Sequence, residues 1–108
     1  MGSLKTNELA ALKELRERLA RDFRLVELKL YGSKARGDSQ PDSDLDVVVV
    51  LENYDWETEK AVYDLCTDIG LDRGIFIAPV LYTRAEYESS LTRATDFHKN
   101  VSREGVLV

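Results

Sequence analysis

Leu30-Tyr31-Gly32-Ser33-Lys34-Ala35-Arg36-Gly37, followed after a short loop by Ser43-Asp44-Leu45-Asp46-Val47, is the stretch that decides the fold. Residues 25–31 alternate apolar and polar over much of their length, which predicts a strand, and Gly32 ends it. Without a Cβ, Gly32 lets a ligand approach the backbone closely. Ser33 stands at a predicted helix start, because Lys34, Ala35 and Arg36 are good helix formers. Such a start aims free N–H groups and a positive dipole end at an anion, and the Ser33 hydroxyl is a further donor. Lys34 and Arg36 either add charge to that anion site or are plain surface charge. For Arg36 a third role is open, bracing the following loop through Asp38 or Asp42.

Residues 37–43 are dense in turn formers and read as a loop, so ten residues separate Ser33 from Asp44. Beyond the loop, Asp44 and Asp46 stand at i and i+2 of a predicted strand, and their side chains leave the same face. Two neighbouring carboxylates at the end of an apolar strand are costly without a partner. A divalent cation is the economical one, and oxygen donors of this kind suit Mg²⁺ held by carboxylates and substrate phosphates together. An anion-binding turn beside such a pair describes a nucleoside triphosphate site. Asp42-Ser43-Asp44-Leu45-Asp46 also begins like a calcium loop. That reading fails because Val47 stands where a glycine is required and Asn53 where a glutamate is required.

Outward from this core, residues 4–23 read as an amphipathic helix with Ser3 or Asn7 as its cap. Residues 45–51 are apolar on both parities and predict a central strand buried on both faces. Helix periodicity returns over 56–71, with Cys66 on the apolar side and Gly70 near the end. Residues 75–82 predict a third strand, which Pro79 moves to an edge or a bulge. Thr83 and Glu86 form a capping box for a helical stretch. A last helix covers 93–104, turns Phe97 and Val101 inward and stops at Gly105. The expectation is an α/β (α+β) fold, a short mixed sheet flanked by helices, in a single domain over residues 1–108.

With 108 residues and 44% apolar content a core can form, and no apolar run approaches the ~20 residues of a membrane helix. A lone cysteine and no signal-like segment point to a reducing cytoplasm. Charge is uneven. Residues 1–37 hold nine Lys/Arg against five acids, and residues 38–72 hold one Lys against eleven acids. Direct nucleic-acid binding, which needs clustered cations, is therefore not expected. Asp38 and Asp42 read as turn chemistry, His98 as structural or exposed, and Tyr31 and Tyr82 as packing groups rather than base-stacking ones. The acidic helix at 55–72 reads as a solvated face or a surface for a basic partner. The Pro79 strand and the apolar tail Val106–Val108 are candidate surfaces for homo-oligomerisation.

Gly32-Ser33, ten residues, then Asp44-Leu45-Asp46 resembles the signature of the polymerase-β-like nucleotidyltransferase superfamily. With Ala35-Arg36-Gly37 and the ending Val101-Ser102-Arg103-Glu104-Gly105-Val106-Leu107, the chain is similar to its minimal nucleotidyltransferase branch over most of its length. The resemblance implies a polymerase-β-like fold. It implies that Asp44 and Asp46 hold catalytic Mg²⁺ and that Gly32 and Ser33 cradle the β- and γ-phosphates of ATP. It also implies a partner, a HEPN-domain toxin, onto whose tyrosine some members transfer AMP and so act as antitoxin. One departure stands out. The family's third carboxylate belongs on the next strand, and Ile75–Tyr82 contains no acid; Asp72, just before it, looks misplaced as a substitute. The alternative is a catalytically inactive antitoxin that works by binding alone.

Overall fold

A computed structural model describes residues 4–37 and 44–108. Helix α1 (Thr6–Asp22) leads into β1 (Leu25–Tyr31), the single-turn helix α2 (Gly32–Arg36), β2 (Leu45–Leu51) and α3 (Trp56–Arg73). Then come β3 (Ile77–Thr83), α4 (Arg84–Glu88), α5 (Ser90–Arg93), α6 (Asp96–Glu104) and β4 (Val106–Leu107). The described strands form one mixed sheet in the order β3-β2-β1-β4, with β1 antiparallel to β2 and β4 and β2 parallel to β3.

The strand β2 is central and buried on both faces, as its run of valines predicts, and β3 with Pro79 is an edge. Leu45, Val47, Val49 and Leu51 point into the main core beneath α1 and α3. There they meet Leu12, Leu15 and Leu19 of α1 and Val62, Cys66 and Ile69 of α3. Val48 and Val50 point the other way, into a second cluster with Tyr87 of α4 and Val101 of α6, flanked by Tyr31, Tyr82 and Phe97. The sheet is thus sandwiched between two helical layers. Each buried Val or Leu contributes roughly 1.5–3 kcal/mol of transfer energy, so β2, packed on both sides, is the strand the fold can least spare. The Cys66 thiol lies inside the core, where burial pushes its pKa up to about 12 and leaves it inert.

Several boundaries differ from the sequence expectation. Helix α1 is capped neither by Asn7 nor by any described side chain at the N-cap position. Its N-cap is Lys5, whose backbone N–H donates to Glu8 Oε1 at 2.8 Å, while the Asn7 side chain donates to the Arg73 carbonyl at 3.0 Å. Ser3 lies outside the described residues. Helix α3 runs past Gly70 to Arg73, because the residue that adopts the left-handed stop is Gly74, with φ +70°. The expected last helix is divided: α5 ends at Arg93 and α6 restarts behind Thr95, whose hydroxyl accepts from the His98 N–H at 3.1 Å. Thr83 and Glu86 form the expected capping box of α4, and Gly105 ends α6. Among the described residues no helix is long and apolar enough to cross a membrane.

Candidate active site

The site lies on the face of the sheet that carries α4–α6. Because β1 and β2 are antiparallel, the last residue of β1, Tyr31, is paired with Asp46 near the start of β2. The chain then turns at Gly32 with φ +74°, a conformation open to glycine and strained for other residues. A Cβ at Gly32 would stand only 2.9 Å from Asp46 Oδ2. The glycine therefore does two things: it makes the turn, and it lets the backbone of the Gly32-Ser33 turn lie directly against a carboxylate. Helix α2 begins at that turn without a cap from the side chain of its N-cap residue Tyr31, and it closes through the Gly37 N–H to the Ser33 carbonyl at 2.9 Å.

Asp44 is exposed and Asp46 half-buried. Burial first, and the charge of Asp44 second, push the Asp46 carboxyl above the ordinary range. Two like charges share one strand end, and among the described residues no cation pairs with either. The donors are carboxylate oxygens, which fits Mg²⁺ held by two side chains together with substrate phosphates. Burial, then Asp46, then Tyr82 raise the Tyr31 phenol, so it keeps its proton at neutral pH. The Tyr31 ring stands edge-on to Phe97 of α6, with centroids 5.1 Å apart, and Tyr82 packs near both Phe97 and Tyr87. Both tyrosines are packing groups here, as expected from sequence.

The third strand brings no acid to the pair. In the parallel register Ala78 lies beside Asp46 and Val80 beside Val48. Asp72 is exposed on α3, the helix that covers the opposite face of the sheet, so it does not complete the pair. Among the described residues no group of three or more His, Cys, Asp and Glu side chains is arranged to hold a metal ion.

Gly32, Ser33, Asp44 and Asp46 thus come together, and the two expected cations of the turn do not simply join them. Lys34 is 1% exposed, and its ammonium lies 2.7 Å from Glu8 Oε2 at the start of α1. Arg36 reaches Glu104 of α6 at 3.3 Å. Asp38 and Asp42, the proposed alternative partners of Arg36, lie outside the described residues. Glu8 and Glu104 are the residues that motif reading misses. Glu8 carried a signal: it falls in the stripe 8, 12, 15, 19 whose other members are leucines, so a charge was bound to be buried there.

Residues 12–101 match the family model of the nucleotidyltransferase domain. The chain belongs to that family. A Methanocaldococcus jannaschii protein named "Putative protein adenylyltransferase" is 32% identical over 102 residues, covering 92% of this chain and 95% of its own length. Among solved structures, one described as a "putative minimal nucleotidyltransferase" superimposes with a TM-score of 0.64 at 25% identity, over 93% of this chain and 91% of its own. A nucleotidyltransferase structure from Sulfolobus solfataricus, likewise called putative, gives 0.54 at 23% identity, over 99% and 89%, and supports the fold. The nucleotidyltransferase match contains Gly32, Ser33, Asp44 and Asp46; Glu8 and Glu104 fall outside it.

Proposed function

We propose that the chain is a Mg²⁺-dependent nucleotidyltransferase that moves AMP from ATP onto a hydroxyl of a partner protein. The observation that carries this reading is the contact between the two halves of the motif. The Gly32 turn and the Asp46 carboxylate are so close that a single methyl group would not fit between them. Phosphates on the turn and a cation on the carboxylates would be neighbours. The relative named as an adenylyltransferase of proteins supports the choice of group and of acceptor class.

Asp44 and Asp46 would hold the Mg²⁺, which supplies charge neutralisation of the phosphates and an electrophilic pull on the reacting oxygens. Gly32 and Ser33 would bind and orient the β- and γ-phosphates through backbone N–H groups and the serine hydroxyl. The acceptor oxygen attacks the α-phosphorus and forms the new O–P bond. The bond from the α-phosphorus to the bridging oxygen breaks, and pyrophosphate leaves with the electron pair. The hydroxyl proton passes to solvent or to a base of the acceptor protein, since β3 presents Ala78, not an acid, beside Asp46. The partner we infer is a HEPN-domain toxin with a tyrosine as acceptor, which makes this chain its antitoxin.

The same β3 residue favours a second reading, an inactive antitoxin that neutralises by binding alone. Incubating the HEPN partner with the chain and Mg·ATP separates the two. The enzyme adds the mass of an adenylyl group to the partner and fails to do so as Asp44→Asn/Asp46→Asn. A binding-only antitoxin neutralises without ATP and leaves the partner's mass unchanged.

A further inference from the structure

We propose that Glu8 and Lys34 are a positioning pair, which holds α2, and with it the Gly32-Ser33 turn, in place over Asp44 and Asp46. The inference rests on the nucleotidyl-transfer reading above and assigns a role to two residues outside its chemistry.

Helix α2 spans only Gly32–Arg36, one turn, too short to hold its own geometry. It must be fixed from outside. Lys34 at its centre is fully covered, and its ammonium meets Glu8 Oε2 at 2.7 Å; Glu8 is itself 2% exposed. The other oxygen of Glu8 accepts the Lys5 N–H at 2.8 Å, so the carboxylate is anchored to the first turn of α1 before it reaches Lys34. On the solvent side of α2, Arg36 is tied to Glu104 of α6 at 3.3 Å. The turn is therefore gripped from two sides, by a helix near each end of the chain.

A buried ion pair is a poor way to gain stability. Desolvation of both charges roughly cancels their attraction, and an apolar pair of similar volume often does better. What such a pair offers over a greasy contact is direction. A carboxylate hydrogen-bonded to one helix and an ammonium on the other fix the separation and orientation of the two. Here the element so fixed is the one that carries the phosphate-binding turn. Asp46 belongs to β2 and Asp44 is the residue directly before it, so both are placed by the strand rather than by α2, which makes the role separable from general folding.

The test compares the full chain with Glu8→Gln, using two probes: Mn²⁺ alone, as a reporter of the Asp44/Asp46 pair, and Mn·ATP, as a reporter of pair and turn together. The expected result is Mn²⁺ affinity within about twofold of the unmutated chain and Mn·ATP affinity weakened by about tenfold or more, which is about 1.4 kcal/mol and the scale of one hydrogen bond lost between turn and phosphate. Unchanged Mn·ATP affinity overturns the proposal, as does an equal loss of both probes, which would mark a merely structural role. If Glu8→Gln does not fold, Glu8→Asp keeps the charge, shortens the reach and is read by the same two outcomes, with a smaller loss of Mn·ATP affinity, about threefold, expected. An unmutated chain that binds Mn²⁺ but no nucleotide contradicts the functional reading itself; a variant that binds as tightly as an active parent contradicts only the positioning role.

Discussion

The two faces of one strand do different work in this protein. On one face of β2, Leu45, Val47, Val49 and Leu51 are sealed beneath α1 and α3. On the other stand Asp44, directly before the strand, and Asp46 near its start, and only then Val48 and Val50. The first face is apolar, and among the described residues the buried charges, Glu8 and Lys34, lie 2.7 Å from each other. The second begins with two acids and no cation among the described residues. That like-charged pair is where the proposed cation and nucleotide would sit.

Substitutions on the two faces should therefore separate stability from binding. The largest expected effect is on the sealed side. Lys34→Met leaves Glu8 buried without its cation and should cost about 3–5 kcal/mol, read by chemical denaturation. The pH dependence has a definite sign. Burial raises the Glu8 carboxyl, but the Lys34 hydrogen bond, the Lys5 N–H and the charges of both lysines together bring it below its ordinary 4.5. Its contribution is thus complete above that value and is lost as pH falls through the lowered one. The stability gap between the unmutated chain and Glu8→Gln should be widest near neutrality and close in acid.

Next comes a plain cavity on the same face. Leu30→Ala, at a residue with no exposure, should cost about 2–5 kcal/mol while leaving nucleotide affinity intact in the fraction that remains folded. On the other face the sign reverses. Burial and Asp44 hold the Asp46 carboxyl above its ordinary 3.8, so the ionised form opposes folding at neutral pH and that opposition fades as the group protonates. Asp46→Asn should raise stability slightly, by under about 1 kcal/mol because water still screens the pair, and should abolish Mg·ATP binding. The smallest stability effect belongs to the exposed Arg36–Glu104 contact, where Glu104→Ala should change it by under about 1 kcal/mol.

How much of this is legible in the sequence follows from the range of the forces involved. The strands β1 and β2 are legible because alternation in one and a double-sided apolar run in the other are local patterns. The capping box of Thr83 and Glu86 is legible for the same reason. The strand β4 is not: two residues carry no period, and Val106–Leu107 becomes a strand only because β1 offers it an edge. The split between α5 and α6 hides behind Thr95, which reads as an ordinary helix residue until its hydroxyl takes up a cap. In the site, Gly32, Ser33, Asp44 and Asp46 are legible through spacing, though the contact of Gly32 with Asp46 depends on the β1–β2 register. Lys34 reads as a phosphate contact or as surface charge because its neighbours in sequence are the turn; Glu8, which it meets in the fold, is remote in the chain and brought near by packing alone.

As proposed, the Gly32-Ser33 turn and the Asp44/Asp46 pair would form one nucleotide site. Calorimetric titration of ATP into the chain with and without Mg²⁺, repeated for Asp44→Asn/Asp46→Asn, tests it most directly. Binding should require Mg²⁺ and disappear in the double variant while the fold persists. Binding that ignores Mg²⁺ or survives the double substitution, or no binding at millimolar ATP, would contradict it.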